Sequence, residues 1–445
     1  MTLPPLRTAL VALVALAALA AAAPSVRAQD TTPPRGVHIG LAYDAGVKPG
    51  VVVGLVRGAT GDSVRAIVMR DFDAGDRIEV IGAPGTSGAD AVAQIGAGVN
   101  YKVWKALGAA AAAQMTLTAG GVHVAVYDVA KQSLLQTRDF PLPAPALAAD
   151  WRLAVHGVSD EVERWITGTK GVAATRVLFV RGGRIHVIDS DGWGERAVSE
   201  PGLALSPAWH PGGHLIAYSA SHDRGWRIML RDLAGGTARA LGTTPQGLNI
   251  TPVFSPDGGT LVYAHGDEDG TDLYAVAMTG LTPGASARRV TVGHGADNVS
   301  PSFSPDGGRI AFTSGRLGHP EVYVADADGA NAEMLTPFAY GDEIYRSNPD
   351  WSPDGRQVAY QAQISGVFQL MAITLRDRSV RQLTSEGRNE DASWAPDGRH
   401  LVFASTRTGA MELFVLDAES GRARQLTHGG GSRLPAWSPA LTVAP

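Results

Sequence analysis

The chain has 445 residues, 44% hydrophobic and 18% charged, with a formal net charge of -5 and no cysteine. That length suits two domains or one large repeat array, and the balance is globular rather than disordered. A disulfide scaffold and a lipoprotein tethered through cysteine are excluded, and no clustered basic surface offers itself to nucleic acid.

In chain order, Arg7 precedes an apolar run from Ala9 to Ala23, and small residues follow at Val26 and Ala28. The order is that of a secretory signal peptide over residues 1–28, cut after Ala28; a retained N-terminal anchor is the alternative. Loss of the segment removes Arg7 and Arg27 and takes the formal charge from -5 to -7. No later run is apolar enough to cross a membrane, so a soluble protein outside the cytoplasm is expected. Residues 29–36, QDTTPPRG, offer nothing to pack and are expected to be flexible.

Residues 37–170 alternate strand and helix patterns and predict a small mixed α/β domain. VHIGLAYDAG and GVVVGLV read as strands, and GDSVRAIVMRDFDAGD as a helix with Asp62 or Ser63 near its N-cap. RIEVIG follows as a strand, VNYKVWKALGAAAAA as a helix and GVHVAVYDVAKQSLLQTRDF as a hairpin. Trp151, Val155, Val158, Val162 and Trp165 then recur at helical spacing, and Gly168 stops that helix.

The remainder is a repeat. SPAWHPGG, TPVFSPDGG, SPSFSPDGG, NPDWSPDGR, DASWAPDGR and LPAWSP place prolines at 211, 256, 305, 353, 396 and 439, a period in the forties. Short strands at that period signal propeller blades. In each copy an aromatic (Trp209, Phe254, Phe303, Trp351, Trp394, Trp437) stands two residues before the proline, and in the four Pro-Asp-Gly copies proline presets φ and glycine takes the positive value. The first five aromatic strands A are each followed by B, C and D strands, and six B-C-D sets can be counted. The first set, 176–200, lacks an A strand before it, while LPAWSP is an A strand with nothing after it. The two complete one another. The fold class is therefore two domains: a small N-terminal α/β domain and an all-β six-bladed propeller over 175–441, closed by the C-terminal strand.

Catalytic signatures are sparse. There is no G-x-S-x-G elbow and no H-E-x-x-H. Asp267, Asp269 and Asp272 in GDEDGTDLY lack the trailing glutamate of a calcium loop and read as a solvated turn. His210 and His214 straddle a Pro-Gly-Gly turn, and His156 and Glu161 fall on different faces of one helix, in keeping with capping or an interface. A propeller lyase or sugar-processing enzyme with a metal in its central channel remains the runner-up.

Beyond architecture, AVHGVSDEVERWITGTKGVAATRVLFV (154–180), VHIGLAYDAGVKPGVVVGLV (37–56) and PAWSPAL (435–441) resemble the TolB family, the periplasmic members of the Tol–Pal system of Gram-negative envelopes. The match spans essentially the whole chain after the signal. The resemblance implies a non-enzymatic, monomeric periplasmic adaptor with no cofactor and no metal, peripheral to the membrane through its partners. Its N-terminal segment, here Gln29, Asp30, Thr31, Thr32, Arg35, Val37 and Ile39, would bind a TolA-like protein as an added strand or in a groove. Its propeller would bind Pal, a peptidoglycan-associated lipoprotein, through the loops before each A strand. Those positions are Asn249, Ile250 and Thr251; Asp297, Asn298 and Val299; Ser347 and Asn348; Asn389, Glu390 and Asp391; and Ser432 and Arg433. The second-blade loop, GLNIT, departs from the family pattern, with Leu248 where a histidine is common. A TolB-like scaffold for another envelope partner stays open.

Overall fold

Three consecutive valines, Val51 to Val53, are all buried, which requires a strand covered on both faces. In the computed structural model this strand, β1 (Gly50–Val53), lies inside a five-stranded mixed sheet. It pairs in parallel with β2 (Glu79–Ile81) and β3 (Ala111–Thr118), and β3 continues antiparallel through β4 (Gly121–Asp128) to β5 (Ser133–Pro141). Helices α1 (Gly61–Gly75) and α3 (Ala149–Thr167) cover one face around Val64, Phe72, Val158 and Trp165. Helix α2 (Tyr101–Ala106) covers the other with Trp104. The structure describes residues 47–82, 98–222, 225–242, 247–268, 270–279, 282–284, 286–292, 296–337 and 344–443. The expected signal segment, the segment at 29–36 and the strand VHIGLAYDAG lie outside them.

Two local expectations are corrected. The alanine run is not a continuation of α2: the helix ends at Ala106, Gly108 turns the chain at φ 79°, and Ala111 to Ala113 are buried strand residues paired with Val51 to Val53. Alanine's helix preference is a weak prior, and small side chains suit a central strand sandwiched between helices. Helix α1 is capped by Thr60, not by Asp62 or Ser63; its hydroxyl makes no cap bond, and Asp62 sits in the first turn near the positive end of the helix dipole. Helix α3 ends in a left-handed Gly168, as the sequence indicates.

Six antiparallel sheets follow. The first joins Arg433–Trp437 to β6 (Arg176–Arg181), β7 (Arg184–Asp189) and β8 (Arg196–Ala197). Its register places Arg433 opposite Val180 and Trp437 opposite Val177. The chain end thus supplies the inner strand of the first blade, and the ring closes without a free inner edge. Trp437 is buried and its Nε1 donates to Thr175 Oγ1 at 2.8 Å. The same aromatic position links neighbouring blades elsewhere: Trp209 Nε1 donates to the Ala436 carbonyl and Trp394 Nε1 to the Asp350 carbonyl.

The Ser-Pro-Asp-Gly turns are closed by their own side chains. Ser304 Oγ donates to Asp306 Oδ1 at 2.6 Å and accepts from Arg309 N at 2.9 Å, while Gly307 takes φ 70°. Ser255 and Ser352 repeat this arrangement. Serine therefore stands at the head of the turn as a cap, and glycine as the residue that tolerates positive φ.

Trp437→Ala should remove both the closing strand's main apolar contact and the Thr175 bond. The expected loss is about 3–5 kcal/mol, read as a lower urea midpoint at unchanged m-value. Removing residues 433–445 should abolish the cooperative transition altogether, followed by circular dichroism on heating.

Candidate functional site: the propeller mouth

Every inner strand carries the same defect. Pairing of A with B slips by a bulge in all six blades, between Ala217 and Ser219 in the second and at the matching place in the others. At each bulge one residue takes a left-handed backbone: Ser206, Thr251, Ser300, Asn348, Asp391 and Leu434, with φ from 48° to 56°. None is glycine, and five precede a proline, which makes that conformation more costly still. Strain of this kind persists only where the surrounding structure enforces it, and it clusters at functional surfaces.

The six residues form a collar inside a central cavity of about 300 Å³. Ser300 N donates to Thr251 Oγ1 at 3.2 Å, and Ser300 Oγ donates to Asn348 Oδ1 at 2.9 Å. Asn348 Nδ2 then donates to Asp391 Oδ1 at 2.7 Å, and Leu434 N to Asp391 Oδ2 at 3.4 Å. Deeper in, Asp350 accepts from Ser302 Oγ at 3.2 Å and from Trp394 N at 2.7 Å. Burial pushes the Asp350 carboxyl up to about 7, and burial together with the charge of Glu390 pushes Asp391 up to about 6. Among the described residues that line this cavity there is no histidine, lysine or glutamate. Both acids accept hydrogen bonds from neighbouring blades, which ties the inner strands to one another.

The structure divides the residues expected at the mouth. Asn249, Asn298 and Asn389 are 0% exposed. Their amides serve the blades: Asn298 Nδ2 donates to Asp272 Oδ1 and Asn389 Nδ2 to Gln369 Oε1, each acceptor also taking a threonine hydroxyl. Glu321 with Thr336 and Arg346, and Glu412 with Thr427 and Ser432, repeat the staple, and Ser432 is equally buried. Burying these groups would be costly without such partners, so the side chains of the three asparagines are not a partner surface. Ile250 and Val299 pack against the core. Thr251, Asn348 and Asp391 belong to the collar, Ser347 and Glu390 are half-buried, and Asp297 and Arg433 are exposed. Asp272 is also buried, an ion-pair partner of Arg289 and not a residue of a solvated turn. The residues Gln29, Asp30, Thr31, Thr32, Arg35, Val37 and Ile39 lie outside the described ones. Sequence reasoning missed Ser206, Ser300 and Leu434, although each is the residue before proline at the head of its repeat.

Loop direction sets what the mouth presents. The D–A connections and the B–C hairpins share one end of the ring, and exposed Leu203, Val292, Leu317, Tyr345 and Val367 lie on them. The α/β domain meets the other end: Arg422 pairs with Asp73 and Asp76, Arg77 with Asp397, and Arg152 with Asp191. Among the described residues, the α/β domain leaves the mouth uncovered.

The model of the TolB β-propeller domain matches residues 163–441. The chain belongs to the TolB family. It is similar to the Tol-Pal system protein TolB of Gluconobacter oxydans, 33% identical over 283 residues, which are 61% of this chain and 60% of the relative. The Francisella tularensis TolB is 28% identical over 251 residues, 53% of this chain and 55% of the relative. The match thus spans 55–60% of the length of these curated relatives. The crystal structure of TolB from Acinetobacter baumannii superposes with a TM-score of 0.73 at 25% identity, covering 90% of this chain and 98% of that one. The TolB match thus includes the α/β domain as well as the ring.

Asn389→Ala should remove one of the two donors to the buried Gln369 Oε1 and the bond to the Glu386 carbonyl, and cost about 1–3 kcal/mol of stability, seen as a fall in melting temperature. Asp350 supplies a pH test. Its proton is held to about 7 in the folded chain but released near about 3.9 when unfolded, so stability should fall as pH rises across that interval. Asp350→Asn should flatten this part of the curve of melting temperature against pH.

Proposed function

We propose that the chain is a non-enzymatic adaptor of the Tol–Pal envelope system, located in the periplasm. Its mouth binds a Pal-like peptidoglycan-associated lipoprotein and its segment around 29–39 binds a TolA-like protein, supporting outer-membrane integrity and envelope constriction during division. The observation that carries the reading is the family match over the propeller, in relatives named Tol-Pal system proteins. The mouth adds physical support. Six enforced left-handed residues hold a rigid collar, and apolar Tyr345 and Leu317 stand exposed around it beside charged Asp297 and Arg433. Apolar anchors within a polar rim are the composition of a protein-binding surface. No helix among the described residues is long and apolar enough to cross a membrane.

Titration calorimetry of residues 29–445 with the soluble domain of the organism's own Pal-like lipoprotein tests this. Binding is expected, and Tyr345→Ala or Arg433→Glu should weaken it about tenfold or more, the 1.4 kcal/mol scale of one interface anchor, without moving the melting temperature. Removing residues 29–35 should abolish binding of the TolA-like domain and spare the lipoprotein. Failure to bind either partner would refute the reading.

A further inference from the structure

At the end of the ring opposite the mouth, α3 carries a histidine with no access to water. His156 is 0% exposed. Its Nδ1 lies 2.8 Å from Asp71 Oδ2 on α1, which also accepts from the Ser159 hydroxyl at 2.5 Å. Its Nε2 has no hydrogen-bond partner and points across the domain boundary, 4.0 Å from Asp191 Oδ2 in the turn after β7. A neutral ring that donates from Nδ1 would turn a lone pair on Nε2 toward a carboxylate, with both groups buried. A protonated ring has an N–H for each side.

We propose that His156 is a proton-operated latch between the α/β domain and the propeller: as imidazolium it bridges Asp71 to Asp191, and loss of the proton loosens that boundary. The groups facing it are known from every side. Arg70 lies on α1 beside Asp71, and Arg152 and Ser159 lie on α3 itself. Arg70 and Arg152 both donate to Asp191 Oδ2, at 2.9 and 2.6 Å. Blade one contributes Asp189, held by Arg176, and Asp191; blade six contributes Arg424, which donates to the Ser190 carbonyl. A divalent ion among His156, Asp189 and Asp191 would have to take Asp191 Oδ2 from two guanidinium donors. A proton on Nε2 fills the gap and displaces nothing.

Burial opposes charge on His156, but the charge and hydrogen bond of Asp71, with Asp191 and Asp189 behind it, outweigh burial and raise its pKa. A raised folded value means the latch is complete below the ordinary histidine pKa of about 6.5 and is lost as pH rises through the higher folded value. Asp160 and Glu163 on the same helix are both pushed by burial to about 7, so their ionisation acts in the same direction and the test must separate them.

The absence of native cysteine allows the pair Lys131→Cys and Arg356→Cys, one in each domain, to be labelled specifically in residues 29–445. Distance distributions by electron spin resonance are then compared between about pH 6 and about pH 9. A narrow distribution at the lower pH that broadens at the higher is expected, with His156→Gln broad at both. Nuclear magnetic resonance of the wild-type imidazole should give a His156 midpoint above about 6.5, a measurement that stands even if the variant fails to fold. Identical distributions at the two pH values, a His156→Gln response equal to wild type, or a ring that stays neutral throughout would each overturn the latch.

Discussion

The pairing of Arg433–Trp437 with β6 is the contact on which the rest depends. Without it the first blade would expose an unpaired inner edge, and the six inner strands would not be held around a common axis. Closure turns a row of sheets into a ring in which each inner strand has a neighbour on both sides. That is why Trp437, near the end of the chain, is as buried as residues in the middle of the ring. It also spaces the bulges so that Thr251, Ser300, Asn348 and Asp391 meet in one hydrogen-bonded arc.

Two sets of polar residues divide the work around that axis. The staples built on Asp272, Glu321, Gln369 and Glu412, in four of the six blades, fasten the outer strand end to the following inner strand, with threonine and a buried amide, guanidinium or hydroxyl as partners. The collar residues hold a left-handed backbone that sequence chemistry alone disfavours. Hydrogen bonding and packing repay the burial of the first set, which leaves the surface in the hands of the loops around the second. A mouth assembled in this way is stiff, a property that lowers the ordering cost of binding.

The opposite end is electrostatic. Asp76, left-handed at the end of α1, takes Lys48, Ser420 and Arg422, while Arg77 spans Glu163 and Asp397. These contacts hold the small domain beneath blades one and six through charges and hydrogen bonds more than through a shared apolar core. Such a boundary responds to protonation in a way that a hydrophobic one would not.

Much of this was legible in the sequence because it repeats. Six aromatic-proline phrases, a blade set without an inner strand and an inner strand without a blade set fix the number of blades and the manner of closure. The helical spacing from Trp151 to Trp165 fixes α3. Local propensity misled where tertiary packing overruled it: Ala111 to Ala113 became a strand because β1 needed a small-sided neighbour. Only the folded ring decided which loop residues face outward. Asn298 and Asp297 are adjacent in sequence, yet one is fully buried and the other exposed, because Asn298 opens an inner strand packed between blades while Asp297 ends the loop before it. The same holds for His156, whose spacing marks a helix but whose two carboxylate neighbours lie 85 and 35 positions away, Asp71 brought up by the packing of α1 against α3 and Asp191 by the domain boundary.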